Sequence, residues 1–197
     1  MLPSTREYVI GGGVMGKSIY FDPVALDNAY YFTRAGARRQ VVAAIMSTFD
    51  PTEVTKACSA YASQWRIKSS LGPEGEERVT LYTVLKRRHL AAAMCVYESA
   101  LKLGLPEVEA LRRAYERYEE LAQHVRSQPK QYVNFERFYA LTRSYSESTL
   151  KITSCKECQS RYLLSDDPVV PRECPFCTMF TSRAVLNTTS AFRLRAA

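Results

Sequence analysis

Two short cysteine pairs near the C-terminus offer the most definite chemistry in this chain. Cys155-x2-Cys158 and Cys174-x2-Cys177 are separated by 15 residues. Two thiolates on one tight turn reach neighbouring corners of a tetrahedron, about 2.3 Å from a zinc ion, and a second such turn supplies the other two. The intervening QSRYLLSDDPVVPRE carries β-like YLL and VV runs around a turn at Asp166-Asp167-Pro168, as a hairpin between two knuckles requires. Lys156 and Arg172 are the basic neighbours expected to favour the thiolates. Four thiolates leave no position for an activated water, so the expectation is one structural Zn2+ per chain, held by Cys155, Cys158, Cys174 and Cys177. The alternatives are two disulfides or unpaired thiols. Cys58 and Cys95 lie alone in helical patterns and read as small buried residues.

A second pattern competes for attention. Gly11-x4-Gly16-Lys17-Ser18 spells a phosphate loop, which needs a strand before it and a helix opening directly behind it. Tyr8-Val9-Ile10 would serve as the strand. Pro23 follows Ser18 too closely for an uninterrupted helix, and Asp50, the nearest candidate for a magnesium-binding acid, reads better as a helix cap. The alternating strand–helix order of a parallel sheet is absent from the sequence. His89 and His124 are the only histidines, and neither stands beside a nucleophile. No constellation for acid–base or nucleophilic work emerges, so no catalytic or cofactor-binding residue is assigned and the chain does not read as an enzyme.

The elements that must position the cysteines are helical. Asp22-Pro23 reads as a cap with proline in the first turn, and Gly36 as a break. Residues 37–64 read as helix, a turn at Thr48-Phe49-Asp50, and a second helix. Asp50 caps it, Pro51 opens it and Glu53 occupies the capping-box position. Val54, Ala57, Cys58 and Tyr61 should face inward. LGPEGEER at 71–78 is a loop. A long helix is expected over about 80–103, ended by Gly104. Pro106 opens another, whose Val108, Leu111, Tyr115, Tyr118, Leu121 and Val125 form an apolar stripe. Asn134 caps a last helix bearing Phe135, Phe138, Tyr139 and Tyr145, and the short β-like LKITSC follows. The fold class is therefore all-α: a multi-helix domain with a helix-turn-helix-like unit plus a small four-cysteine zinc β-hairpin. The expected divisions are an N-terminal arm (1–21), a helical domain for DNA and partner (22–150), the zinc module (151–180) and a basic tail (181–197).

Charge suggests the partner. The 197 residues carry a formal +7 and a pI near 9.1, which favours a polyanion such as nucleic acid. The helix-turn-helix order of 37–64 suits a major groove, with Thr52, Glu53, Thr55, Lys56 and Ser59 on the outer face. Candidate DNA contacts are Arg38, Arg39, Lys56, Arg66, Lys68, Lys86, Arg87, Arg88 and Arg183. The 21 Phe and Tyr residues exceed what a small core uses and point to a partner chain over part of the surface. The longest uncharged apolar run, LAAAMCVY at 90–97, is too short to span a bilayer. The start MLPSTREYV lacks a secretory layout, so no membrane and a cytoplasmic location are expected.

Several segments, in order, resemble one family: AGARRQVV (35–42), AAAMCVYESALKLGL (91–105), ALTRSYSES (140–148), ITSCKECQSRYLL leading to ECPFC, and SRAV (182–185). From about Tyr31 to Val185 the chain resembles FlhC, the bacterial flagellar transcriptional activator subunit. That resemblance implies a largely helical DNA-binding subunit whose zinc ligands fall on Cys155, Cys158, Cys174 and Cys177. It further implies a heterohexamer of four FlhD and two FlhC chains that binds promoter double-stranded DNA and recruits RNA polymerase, in flagellum biogenesis. The arm with the phosphate-loop pattern has no counterpart in the family. After SRAV the family's tail can be strongly basic, whereas here Leu186-Asn187-Thr188-Thr189 follows. The alternative functions are a phosphate-loop nucleotide-binding protein using Gly11–Ser18, and a zinc-ribbon adaptor without DNA contact.

Overall fold

The computed structural model describes residues 16–67, 81, 83–128 and 131–178. The chain is mostly helical, with six helices and one two-stranded hairpin among the described residues. It divides into two compact units between residues 70 and 71. This boundary falls inside the stretch 22–150 that the sequence reads as one helical domain. The hairpin falls within the second unit.

The first unit contains a 3-10 turn (Ile19–Phe21) and helices α1 (Pro23–Arg34), α2 (Arg39–Ile45) and α3 (Pro51–Gln64). Helix starts follow the sequence signals. The Asp22 carboxylate accepts from the Ala25 amide at 2.9 Å, ahead of Pro23. Asp50 accepts from the amides of Thr52 and Glu53 at 2.8 and 3.0 Å. Glu53, however, does not close a capping box. Its carboxylate accepts from the Ile19 amide at 3.2 Å, because the Asp50 amide is already donated to the Lys17 carbonyl. Gly36 ends α1 at φ 92°, where the Ala37 amide reaches back to the Phe32 carbonyl. Glycine adopts this left-handed conformation without penalty. The core is Ile19, Ala29, Phe32, Val42, Met46, Val54, Ala57 and Cys58. Ile19 is fully buried, so the N-terminal arm is anchored before the expected end at residue 21.

The second unit contains α4 (Val84–Lys102), α5 (Glu107–Ala122), a 3-10 turn (Gln123–Val125), α6 (Phe135–Ser146), β1 (Leu150–Ser154) and β2 (Arg161–Ser165). Helices α4 and α5 pack as a hairpin through Gly104, whose φ of 77° ends α4. An aromatic cluster fills the space between α5 and α6. Tyr115 meets Phe135 edge-on at 5.0 Å and Phe138 at 5.3 Å. The Tyr118 hydroxyl accepts from the buried Val133 amide at 2.6 Å. β1 and β2 are antiparallel, with Leu150 opposite Ser165 and Ser154 opposite Arg161, and both strands pack on α4. The hairpin is placed differently from the sequence reading: YLL lies in β2, which pairs with β1 across the first knuckle, and Val169-Val170 fall outside the strands. At Asp166-Asp167-Pro168 the chain does turn, with the Asp167 carboxylate accepting from the Val169 amide at 2.9 Å. Among the described residues no helix is long and apolar enough to cross a membrane.

Candidate metal centre

The β1–β2 ladder sets the first knuckle. Its last pair is Ser154 and Arg161, and the six residues between them turn back sharply. The Cys155 amide donates to the Ser160 carbonyl, and the Gln159 amide to the Cys155 carbonyl. Gln159 takes the left-handed conformation, φ 60°, and its side chain ties back to the Lys156 carbonyl at 3.1 Å. The second knuckle closes on Cys174, whose carbonyl accepts from the amide and the hydroxyl of Thr178.

The four sulfurs converge. Their ligand atoms lie within 4.8 Å of one another, with Cys155 to Cys177 and Cys158 to Cys174 each at 3.7 Å. A disulfide would need about 2.05 Å, and all four cysteines are free thiols. Around an ion at the usual metal–thiolate distance of about 2.3 Å, a tetrahedron of sulfurs has edges of about 3.8 Å. The cluster therefore fits a metal ion it could hold, and the donors are all soft. Cys155 and Cys174 are buried, Cys177 is half-buried and Cys158 is exposed.

Hydrogen bonds from the hydroxyl and amide of Ser160 bring Cys158 down to about 6. The contact with Cys158 pushes Cys177 upward, and burial pushes Cys174 upward. Cys158 thus ionises ahead of Cys174 and Cys177. A divalent ion held by all four would require each as a thiolate, so its binding would release protons.

Of the basic run Lys86-Arg87-Arg88, the two arginines reach this centre. Lys86 and Arg87 are buried, at 3% and 2% exposure, so neither presents its charge to a duplex. Both are corrections to the sequence reading. Arg87 donates from Nη2 to the Glu173 carbonyl, one residue before Cys174. The guanidinium of Arg88 lies 5.3 Å from the ring centre of Phe176, inside the second knuckle. Helix α4 therefore clamps that knuckle with two successive arginines. Burial lowers the Arg87 pKa, and Tyr162, Glu173 and Cys174 partly restore it. The sequence did carry a signal. Lys86 and Arg87 lie at helical spacing with Leu90, Ala91, Met94 and Tyr97, all buried, and so belong to the apolar stripe.

The other candidates fall elsewhere. Arg38 and Arg39 precede and open α2, Lys56 lies on α3, and Arg66 follows it; all four are exposed or half-exposed in the first unit. Lys68 and Arg183 lie outside the described residues, as do Gly11–Met15 of the phosphate-loop pattern. What is described of that pattern is no phosphate cradle. A three-residue 3-10 turn follows Ser18 in place of an α-helix, and α1 opens only at Pro23. Lys17 and Phe49 form a short parallel bridge. Gly16 passes so close to it that a Cβ would lie 2.6 Å from the Phe49 carbonyl carbon. Backbone contact, not anion binding, accounts for that glycine. His89 and His124 meet edge to face at 5.4 Å, a pairing their sequence separation conceals.

The fold and site together define a mostly helical protein with a C-terminal four-cysteine hairpin. No protein-family model matches the sequence, and no curated protein matches it.

Proposed function

We propose that this chain is a DNA-binding subunit of a transcriptional activator complex of the FlhC kind, kept in shape by one structural Zn2+. The observation that carries the reading is the convergence of Cys155, Cys158, Cys174 and Cys177, the positions the family resemblance assigns to zinc. Four thiolates suit zinc in tetrahedral geometry and leave it no open coordination position. The ion's part is to close the hairpin. The chain's own part in DNA binding rests on the first unit, where Arg38, Arg39, Lys56 and Arg66 surround the helix-turn-helix order of α2 and α3. Tyr20, Phe21, Val24 and Trp65 of the same unit are 52–89% exposed and support an FlhD-like partner over an apolar surface. Cytoplasmic promoter DNA and RNA polymerase are the remaining partners of this reading.

The test is co-expression with an FlhD-like subunit, metal analysis of the reduced complex, and footprinting on flagellar promoter DNA. One zinc per chain and a salt-sensitive footprint are expected. A zinc-stabilised adaptor without DNA contact is favoured by one observation, the burial of Lys86 and Arg87. A metal-loaded complex that leaves no footprint would select it.

A further inference from the structure

The first unit has an open cavity of about 460 Å³ beside α2 and α3, lined by Thr33, Arg38, Arg39, Gln40, Ser59 and Ser63 among others. We propose that Arg38, Arg39, Ser59 and Ser63 form a seat for one backbone phosphate of duplex DNA. Arg39 is the charged contact and Ser59 holds it in place. This deepens the DNA-binding reading and rests on it.

The seat is assembled from residues twenty positions apart. Arg39 Nη1 donates to Ser59 Oγ at 2.9 Å, and Ser59 Oγ donates in turn to the Thr55 carbonyl at 2.6 Å. The relay fixes the guanidinium over α3 while the side chain stays exposed. A guanidinium has five N–H donors, and this bond uses one. Preorganisation of this kind lowers the ordering cost that a long cationic side chain otherwise meets on binding. The two arginines and the hydroxyl side chains share the lining with Ala37, Ala62 and Ile67, and the cavity is open where a small-molecule pocket would be enclosed.

The surrounding charge favours an anion. The described part of the unit contains four acids, Asp22, Asp27, Asp50 and Glu53. Three of these are held by backbone amides: Asp22 by Ala25, Asp50 by Thr52 and Glu53, and Glu53 by Ile19. Asp22 and Asp50 cap helix N-termini, where the positive end of the helix dipole offsets them. None of the four lines the cavity. Along α3, Thr52, Lys56, Ser59 and Ser63 recur at helical spacing on the polar face, so a strand of duplex lying on Lys56 continues toward Ser59. Phosphate is the group a duplex presents there, and phosphate contacts fix register without reading sequence.

The experiment measures binding of the full metal-loaded chain, with any subunit that copurifies, to mixed-sequence and flagellar-promoter duplexes over a salt series. Arg39→Gln is expected to weaken both duplexes by about tenfold at about 0.1 M salt and to reduce the log–log salt slope by about one. Ser59→Glu, which places a carboxylate in the seat, should do at least as much. Thermal unfolding reports whether each variant is folded. Wild-type binding with a steep slope that both folded variants retain would overturn the seat and leave the DNA-binding reading intact. Wild-type protein with no salt-dependent binding would overturn both. Trp65, the single tryptophan of the chain, reports on the small-anion arm. A saturating fluorescence response to millimolar inorganic phosphate would mean a free anion site and would also overturn the proposal.

Discussion

Glu98 holds three elements of the second unit to one carboxylate, and its removal has a calculable pH signature. From α4 it receives Arg161 of β2, whose guanidinium donates to Oε2, and Lys102 of its own helix at 3.0 Å. The Tyr145 hydroxyl of α6 donates to Oε1 at 3.1 Å. Burial alone would raise the pKa of Glu98. The hydrogen bonds from Arg161, Lys102 and Tyr145 outweigh burial and bring it from 4.5 to about 2. At 1.36 kcal/mol for each pKa unit, that difference corresponds to about 3 kcal/mol. Glu98 itself is only 12% exposed, but Arg161 and Lys102 keep 40% and 69% of their side chains in solvent. Screening therefore reduces the expected contribution to about 2 kcal/mol.

The folded-state pKa lies below the unfolded one. The stabilisation is thus fully present above about pH 4.5 and is lost as pH falls toward about 2. Glu98→Gln should destabilise the full chain by about 2 kcal/mol at pH 7, and the deficit should shrink steadily between about pH 5 and pH 2.5. Urea denaturation followed by far-ultraviolet circular dichroism measures it, since urea does not add the salt that would mask the ion pairs. Acid also protonates the thiolates, but in wild type and variant alike, so the difference between them isolates Glu98. A deficit that is constant across this range, or a variant as stable as wild type at pH 7, would refute the reasoning.

Other perturbations separate the site's parts. Arg87→Ala leaves the Glu173 carbonyl without its charged donor and should cost about 2–3 kcal/mol; the centre should also lose its ion faster to a chelator, read by a colorimetric metal indicator. Gly16→Ala drives a methyl into the Phe49–Asp50 backbone and should cost about 1–3 kcal/mol in thermal unfolding. Lys17→Ala, at an exposed side chain, should stay within about 0.5 kcal/mol, and nucleotide bound by the wild type but not by that variant would restore the phosphate-loop reading. Arg66 ends α3 in the left-handed conformation, φ 52°, so Arg66→Gly should stabilise by up to about 1 kcal/mol while weakening duplex binding.

The helix starts were legible because each is a local event. Asp50 and Asn134 cap amides two or three residues away, and such signals survive in a single sequence. The cysteine cluster was legible for a related reason: each knuckle is closed by hydrogen bonds within a few residues, and only the pairing of the two knuckles is long-range. The Glu98 network was not legible, because its partners Tyr145 and Arg161 lie 47 and 63 residues away. The boundary between residues 70 and 71 falls at the start of the loop LGPEGEER (71–78), so the break itself was legible; that it divides two compact units depends on long-range packing, which local composition does not carry. The burial of Lys86 and Arg87 departs from the sequence reading because a run of charge normally marks a solvated face, and here the apolar spacing of the same helix is the stronger signal.

That departure bears on what the chain's charge means. The formal +7 treats every thiol as neutral. With a divalent ion on four thiolates the centre carries a net charge of −2, and the chain's excess falls accordingly. Arg87 is buried beside Cys174 and Arg88 lies on the Phe176 ring, so both offset that local negative charge. A buried arginine is a costly way to do this unless a permanent anion stands opposite it. For Arg87 the Glu173 carbonyl and the neighbouring Tyr162, Glu173 and Cys174 offset part of that cost. Counting Arg87 toward nucleic-acid affinity would overstate the salt slope; exposed cations remain at Arg39, Lys56 and Arg66 around α2 and α3, and at Lys156 and Arg172 beside the cysteines.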